Sequence, residues 1–388
     1  MSCSGGVAAP PPWVCFFGTY AAGYTVTRLL RDACHAAGVG VVECHRPLWE
    51  KTQRKDARYF GAWSVLRLSG HYLREIRALA RARRQLGQVP LYLVGFNGQL
   101  DCVILRGLLW RSRAPIVFAP LVTLTETLVD DRRVFAPRSF KACLVRRLDR
   151  LSLRAATRIV IDTDAHRQYL IEQFGIPAHR VVVWYLGADT SVFRAAPQPL
   201  REGPLRVVFY GSFLPLHGSR TVLDAATLLG DDRRVEFVML GDGPQRDACM
   251  RAAHDVGGGH VQFRDWVSYE QLGDLVAAAD ICLGIFGTTS KAAMVIPNKV
   301  YQAAAVGRPV ITADTPAVRE VFAHGENAWL CPAGDAAALA DAIRRLCDDQ
   351  DLRVGLGRRA AALMAKRFAP AAQAARMAAI LAEATHAR

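Results

Sequence analysis

No apolar stretch of about 18 or more residues runs uninterrupted through the 388-residue chain, so no membrane-spanning helix is expected. Ten cysteines are scattered with no CxxC pair and no Cys/His cluster at metal-ligand spacing. Cys34-His35 and Cys44-His45 are sequence neighbours, which rarely ligate one ion, so the thiols read as buried groups in a reducing cytosol. No GxGxxG follows a strand, which argues against a nicotinamide-dependent dehydrogenase. The N-terminal MSCSGGVAAPPPW has no basic region leading into an apolar stretch; a short disordered lead-in over 1–12 is expected rather than a signal peptide. Acidic residues are few, 35 against 49 Lys and Arg, giving a net charge of +14. That balance implies anionic partners. Lysine is scarce, and the arginine-plus-alanine bias looks partly like GC-rich coding, so charge alone leaves lipid, nucleotide and nucleic acid open. No RNA-reading motif accompanies it, and nucleic acid is not expected.

What is present is a repeated alternation. Apolar residues make up 51% of the chain, enough for two cores at this length. Short apolar runs at 13–18, 39–45, 91–96, 114–120, 157–162 and 180–187 read as strands, with helical spacing between most of them. A Pro-containing stretch without periodicity follows. A second series then runs through 205–212, 235–243, 260–267, 279–286, 308–314 and 328–334. Strands separated by helices predict parallel sheets. The expected fold class is α/β, with two Rossmann-like domains at 13–190 and 205–367 facing across a cleft. A linker at 191–204 joins them, and an Ala-rich helix over 368–388 ends the chain. Ligands of such sheets bind beyond the carboxyl ends of the strands.

Three motifs lie at those ends in the second half. VEFVMLGDGPQRD runs a strand into Gly241, Asp242, Gly243 and Pro244, with Pro244 expected as the first residue of a helix. FYGSFLPLHG carries Gly211, Ser212 and His217 into another helix start. IPNKVYQ places Pro297, Asn298 and Lys299 at a helix N-terminus, where Asn298 can cap and the first-turn amides plus Lys299 form an anion site. Gln302 follows one turn later on nearly the same face. Each motif alone fits ordinary capping; their order and spacing are more specific.

Together these elements resemble the family-4 retaining glycosyltransferases of the GT-B fold. The likeness rests on Gly211 to Gly218, on Gly241-Asp242-Gly243-Pro244, on VQFRDWV, on PNKVYQAAAVGRPVI and on HGENAWLCPAGDAAALADAI. YLGADTSVF resembles the family's segment before the linker, and FGTYAAGY its Gly-rich N-terminal loop. The resemblance covers nearly the whole chain and is strong from Thr157 onward. It implies a C-terminal domain for a sugar nucleotide, an N-terminal domain for a hydroxyl acceptor, and a C-terminal helix crossing back to the first domain. The family's paired glutamates fall on Met294 and Gln302, and its phosphate-binding Arg and Lys fall on Ser212 and His217. The Pro-Asn-Lys form is that of a branch of the family.

The resemblance also implies transfer with retention, no bound metal and no cofactor beyond the nucleotide-sugar co-substrate, with UDP or GDP expected. Lys299, Lys291 and His217 are the expected diphosphate-facing cations, helped by loop amides after Gly18. Gly18, Gly23, Gly211, Ser212, Gly241, Asp242, Gly243, Pro244, Trp266, Val267, Met294, Pro297, Asn298 and Gln302 are the expected donor contacts. Asn97, Gln99 and Asp101 in GFNGQLD, with Glu126 and His166, are the acceptor-side candidates. A donor phosphate oxygen can take the acceptor proton, so no protein base is required.

Two rivals stand beside this reading. One is a GT-B sugar-nucleotide epimerase, which wants several cleft carboxylates or histidines. The other is a nucleotide-binding homologue without catalysis, favoured by Met294 and Gln302. The Arg-rich segment 51–84, interleaved with aromatics and leucines, reads either as a surface for an anionic membrane or as a core-packed helix with a solvated Arg face. The first reading makes the protein cytoplasmic and peripheral on the inner membrane face, with a saccharide or lipid-linked saccharide as acceptor.

Overall fold

A computed structural model describes residues 13–20, 22–48, 62–198, 202–230, 232–255 and 260–386. The lead-in 1–12, the start of the basic segment at 51–61 and part of the linker lie outside the described residues.

All twelve expected strands form, as β1 (Trp13–Gly18), β2 (Gly40–His45), β3 (Tyr92–Val94), β4 (Ile116–Phe118), β5 (Arg158–Ile161), β6 (Val181–Val183), β7 (Leu205–Tyr210), β8 (Val235–Leu240), β9 (Val261–Arg264), β10 (Ile281–Leu283), β11 (Val310–Ala313) and β12 (Trp329–Cys331). They make two sheets, ordered β2-β1-β3-β4-β5-β6 and β12-β11-β10-β7-β8-β9. Every pairing is parallel, as with Val208 opposite both Val238 and Cys282. The central strands read as continuous apolar runs because helices cover both of their faces, so no residue of Val207, Val208 or Phe209 meets solvent.

Strand order reverses between β1 and β3 in the first sheet and between β7 and β10 in the second. The loops leaving β7, β8 and β10 therefore surround the second sheet's switch point, where parallel sheets bind ligands. A continuous apolar core runs from the first domain through Trp184 and Phe193 to Tyr301 and Phe368 of the second.

The C-terminal crossing is present. Helix Gln350–Arg367 packs on helix Asn298–Val306 of the second domain. Helix Pro370–His386 then lies against helix Thr25–Ala36 of the first. Gln373 Nε2 donates to the carbonyls of Tyr185 (2.8 Å) and Leu186 (3.0 Å).

The two domains touch through polar contacts as well. Glu320 of the second accepts from the amides of Asp164 (2.7 Å) and Ala165 (2.8 Å), the first turn of helix Asp164–Phe174, and from the Tyr185 hydroxyl. A carboxylate there complements the positive end of the helix.

Candidate functional site

The floor of the site is two glycine loops laid backbone against backbone. A Cβ on Gly243 would lie 1.7 Å from the Ser212 carbonyl oxygen, so no other residue fits there. At Gly211 a Cβ would lie 2.6 Å from the His217 ring and 3.0 Å from Lys299 Nζ. Gly211 thus lets two basic side chains, far apart in sequence, converge on the end of β7.

Lys299 is the unusual group. Its residue is 6% exposed, its ammonium has no hydrogen-bond partner, and it sits 4.0 Å from the centre of the Phe209 ring. Burial pushes its pKa from 10.5 down to about 7. A cation held against a ring gains some attraction but not the solvation it lost. A desolvated, unpartnered donor beside exposed Ser212 suits an anionic ligand.

Three further basic groups converge here. The Nδ1 of His217 is shielded and unpartnered, and burial with Lys299, Lys291 and Arg132 nearby holds the imidazole well below its usual pKa. His217 is therefore neutral rather than the cation expected from sequence. Lys291 donates to the Thr127 hydroxyl (2.8 Å) of the first domain; burial lowers its pKa, while Glu126 and Asp131 favour its charge. Arg132 comes from the first domain and belongs to none of the sequence motifs. Its Nε is buried without a partner, and burial lowers its pKa. The only sequence signal was a pair of arginines behind two aspartates.

The helix start departs from expectation. Pro297, not Asn298, is the N-cap of helix Asn298–Val306, and no side chain caps it. The Asn298 Oδ1 is buried with no partner, because the chain enters the helix one residue earlier. Gln302 is 4% exposed and its Oε1 accepts from the Tyr210 hydroxyl (3.0 Å). Its acceptor is thus committed to the core and not turned toward a ribose. Met294 is half-buried, and its carbonyl accepts from the Thr163 hydroxyl of the first domain.

Pro244 lies in a turn, since helix Arg246–Asp255 begins two residues later and the Gly243 carbonyl accepts from the Arg246 amide (3.0 Å). Asp242 Oδ1 accepts from the Gly243 amide (2.8 Å), stiffening the loop. Trp266 is 48% exposed and its ring edge would lie 3.3 Å from a Cβ on Gly241. It stands beside the glycine floor with area free for stacking, whereas half-buried Val267 packs against the core.

On the first-domain side, most expected acceptor contacts are interior. Asp101 is 1% exposed and binds the Thr19 amide (2.7 Å), the Thr19 hydroxyl (3.0 Å) and the Tyr72 hydroxyl (2.6 Å). It shapes the loop after Gly18 from behind, and it takes the Thr19 amide that was expected to face the diphosphate. Gln99 is buried with its Nε2 on the Val122 carbonyl (3.3 Å). Glu126 and His166 are both fully buried, joined at 2.7 Å, with Asp162 on the other imidazole nitrogen at 3.0 Å. Of the acceptor candidates only Asn97, half-buried with φ 64°, remains at the surface; Gly23, expected as a donor contact, is exposed.

Taken with the parallel double sheet, a cation-lined switch-point site of this kind defines a GT-B glycosyltransferase architecture. Comparison with known proteins agrees. Residues 23–192 match the family model described as Glycosyltransferase Family 4, and residues 204–349 match Glycosyl transferases group 1. The chain thus carries two glycosyltransferase-family domains in tandem, the two halves of a GT-B protein.

HepE of Anabaena, solved in complex with UDP, superposes with a TM-score of 0.70 at 18% identity, over 96% of this chain and 100% of HepE. Sucrose-phosphate synthase of Thermosynechococcus elongatus gives 0.75 at 16%, over 98% and 100%. At these identities the likeness establishes the fold.

Among curated relatives, the lipopolysaccharide core biosynthesis glycosyltransferase LpsE of Rhizobium meliloti is 28% identical over 174 residues, 45% of this chain and 48% of LpsE. The phosphatidyl-myo-inositol mannosyltransferase of Mycolicibacterium smegmatis is 29% identical over 205 residues, 51% of this chain and 50% of the relative. The chain spans about half the length of these curated relatives.

Proposed function

We propose that the protein transfers a sugar from a nucleoside diphosphate sugar to a hydroxyl acceptor with retention of anomeric configuration, in the synthesis of a cell-envelope or secreted glycan. The observation that carries this is the desolvated, unpartnered Lys299 ammonium at Gly211, on the end of the switch-point strand. The diphosphate would lie along Gly211 and Ser212, facing Lys299, Arg132 and Lys291. These groups are fixed before charge develops on the leaving diphosphate, the arrangement that most lowers the barrier to its departure. Their charge comes from the chain itself, and turnover is expected to survive EDTA.

The half-exposed Trp266 ring suits the nucleobase. UDP is the first candidate, because HepE was solved with UDP and with UDP-glucose. Polysaccharide acceptors are in keeping with the names of LpsE and of the amylovoran biosynthesis glycosyltransferase of Erwinia amylovora.

A thermal-shift panel with UDP, GDP, ADP, dTDP and CMP at constant salt tests the donor site. One nucleoside diphosphate should raise Tm clearly over the others, because a ligand that binds only the folded state stabilises it. Turnover with the matching sugar nucleotide, read by the anomeric coupling of the product, tests retention. No shift with any nucleotide would overturn the donor site. Binding without turnover would leave a nucleotide-binding protein, the second reading that the committed Gln302 carbonyl favours.

Affinity should also depend on pH. Without a bound anion, Lys299 is mostly charged below about pH 7 and mostly neutral above it. An adjacent diphosphate favours the ammonium, so binding above that pH must take up a proton. Kd for the diphosphate should rise by up to about tenfold per pH unit above 7. Titration calorimetry in two buffers of different ionisation enthalpy reads the uptake directly. An invariant Kd from about pH 6 to 9, with no proton uptake, would refute the placement.

A further inference from the structure

Nine large apolar side chains are strongly exposed among the described residues, and three of them lie on one helix. Helix Phe140–Ala155 shows Phe140 at 83% exposure, Leu144 at 58% and Leu151 at 56%. Their spacing puts all three on one line along the helix surface. Lys141, Arg147, Arg150 and Arg154 are exposed around the same face. The only acid in the helix, Asp149, is buried and bound to the amides of Leu124 (3.0 Å) and Thr125 (2.8 Å). The outward face therefore holds apolar and cationic groups and no carboxylate.

The neighbouring helix Gln99–Leu108 extends this character. It packs beside Phe140–Ala155, with Arg106 Nε on the Ala155 carbonyl (2.8 Å). Just beyond its end stands Trp110, 68% exposed, with the Arg111 guanidinium 4.8 Å from its ring centre. At the foot of the pair is an open cavity of about 520 Å³, lined by Arg106, Arg154, Arg158, His179 and Arg180 with no acidic side chain.

We propose that this face, Phe140 to Arg154 with Trp110, docks the protein onto an anionic lipid bilayer. Apolar tips enter the headgroup–acyl boundary while arginines meet lipid phosphates, the physics of an interfacial amphipathic helix. Charge complementarity singles out this occupant, since the whole chain is strongly basic and the face has no acid to pair with a protein partner's cations.

The Arg-rich segment that stood out in the sequence is less suited where it is described. In helix Ala62–Gln85, Tyr72, Ile76 and Leu79 are buried, Arg74, Arg77, Arg81 and Arg84 are exposed, and Leu73 is the one strongly exposed large apolar residue from 70 onward. That is a solvated charged face, with little to insert. Helix Phe140–Ala155, in contrast, begins eight residues after Arg132, which follows the Glu126–Asp131 turn whose Thr127 contacts Lys291. On the function proposed above, docking there brings the cleft rim to a lipid-borne acceptor.

Vesicle sedimentation of the full chain tests this. Phosphatidylcholine vesicles containing phosphatidylglycerol should pellet the protein at low salt, and pure phosphatidylcholine should not. A Phe140→Ser, Leu144→Ser, Leu151→Ser variant should partition at least about tenfold less, and so should Arg147→Glu, Arg150→Glu, Arg154→Glu. Reversing Arg74, Arg77 and Arg81 instead should leave binding largely intact. The nucleotide-induced thermal shift should be unchanged in all three, which separates this inference from the donor site. Absence of anionic-vesicle binding, or binding indifferent to either face variant, would overturn it. So would a serine variant that turns a dimer into a monomer in analytical ultracentrifugation, because the face would then pair with a second copy.

Discussion

Replacing Lys299 with Met should abolish much of the nucleotide affinity and at the same time make the protein more stable. The ammonium is desolvated, has no partner and touches mainly the Phe209 ring. In the empty protein it is a cost. Met keeps the volume and removes the charge, so Tm at pH 7 or below should rise by a few degrees, on the order of 1–2 kcal/mol. Diphosphate binding should weaken by about 1–3 kcal/mol, roughly fivefold to 150-fold in Kd. Differential scanning calorimetry and isothermal titration on the same preparations read both effects. A variant that loses stability, or that binds as before, would show Lys299 to be a packing residue. This opposition of stability and binding is common where a charge is held ready for a ligand.

Breaking the buried Glu126–His166–Asp162 cluster should destabilise the protein more than the loss of any surface ion pair. Burial opposes charge on His166, but the Glu126 carboxylate and the hydrogen bonds the imidazolium donates to both acids outweigh it and raise its pKa to about 10. Burial pushes Glu126 up, but the His166 charge and hydrogen bond, the Lys291 charge and the Thr123 amide together hold it below its usual value, and burial pushes Asp162 up. Glu126→Ala leaves a buried imidazolium short of its main counterion, a loss of about 3–5 kcal/mol in urea unfolding. The damage should reach the site. Thr163 accepts from the His166 amide (3.1 Å) and donates to the Met294 carbonyl across the domains, so the turn carrying Lys291 loses an anchor. A loss below about 1 kcal/mol would mean the cluster is solvated or uncharged.

The two groups also predict a pH signature. His166, raised from 6.5 to about 10, contributes stability below pH 6.5 that is lost as pH rises toward 10. Lys299, lowered from 10.5 to about 7, carries a penalty below pH 7 that is relieved as pH rises toward 10.5. In the native protein these slopes oppose each other between about pH 7 and 10. In Lys299→Met the opposing Lys299 slope is gone, and unfolding free energy should fall more steeply across that window than in the native protein. Parallel slopes in both proteins would contradict these charge assignments.

The sequence by itself determined the architecture. Each of the twelve apolar runs became a parallel strand; the central ones are covered on both faces and so must be apolar throughout, while the edge strands β2 and β9 keep exposed polar positions. The glycines at 211, 241 and 243 were legible as strand-end loops, because close backbone approach leaves room for nothing else. Lys299 drew attention by its place at a helix start after a strand, Lys291 as a substitute phosphate charge and Trp266 through the family resemblance, and the fold brings all three beside the glycine loops that form the candidate site. Tertiary structure decided what motif and spacing could not. Asn298 looked like a cap, but the helix begins at Pro297's shoulder; Gln302 looked outward, but Tyr210 holds it. Arg132 joined the site from the other domain, and Asp101, Glu126 and His166 withdrew from it into the core. The charge-rich segment at 51–84 drew attention by composition, yet among the described residues the face that exposes three large apolar side chains beside arginines lies on Phe140–Ala155. In each case the reason is the same. Local sequence sets backbone conformation, but exposure, charge state and partner depend on which distant chain segment arrives at that surface, and only the folded packing specifies that.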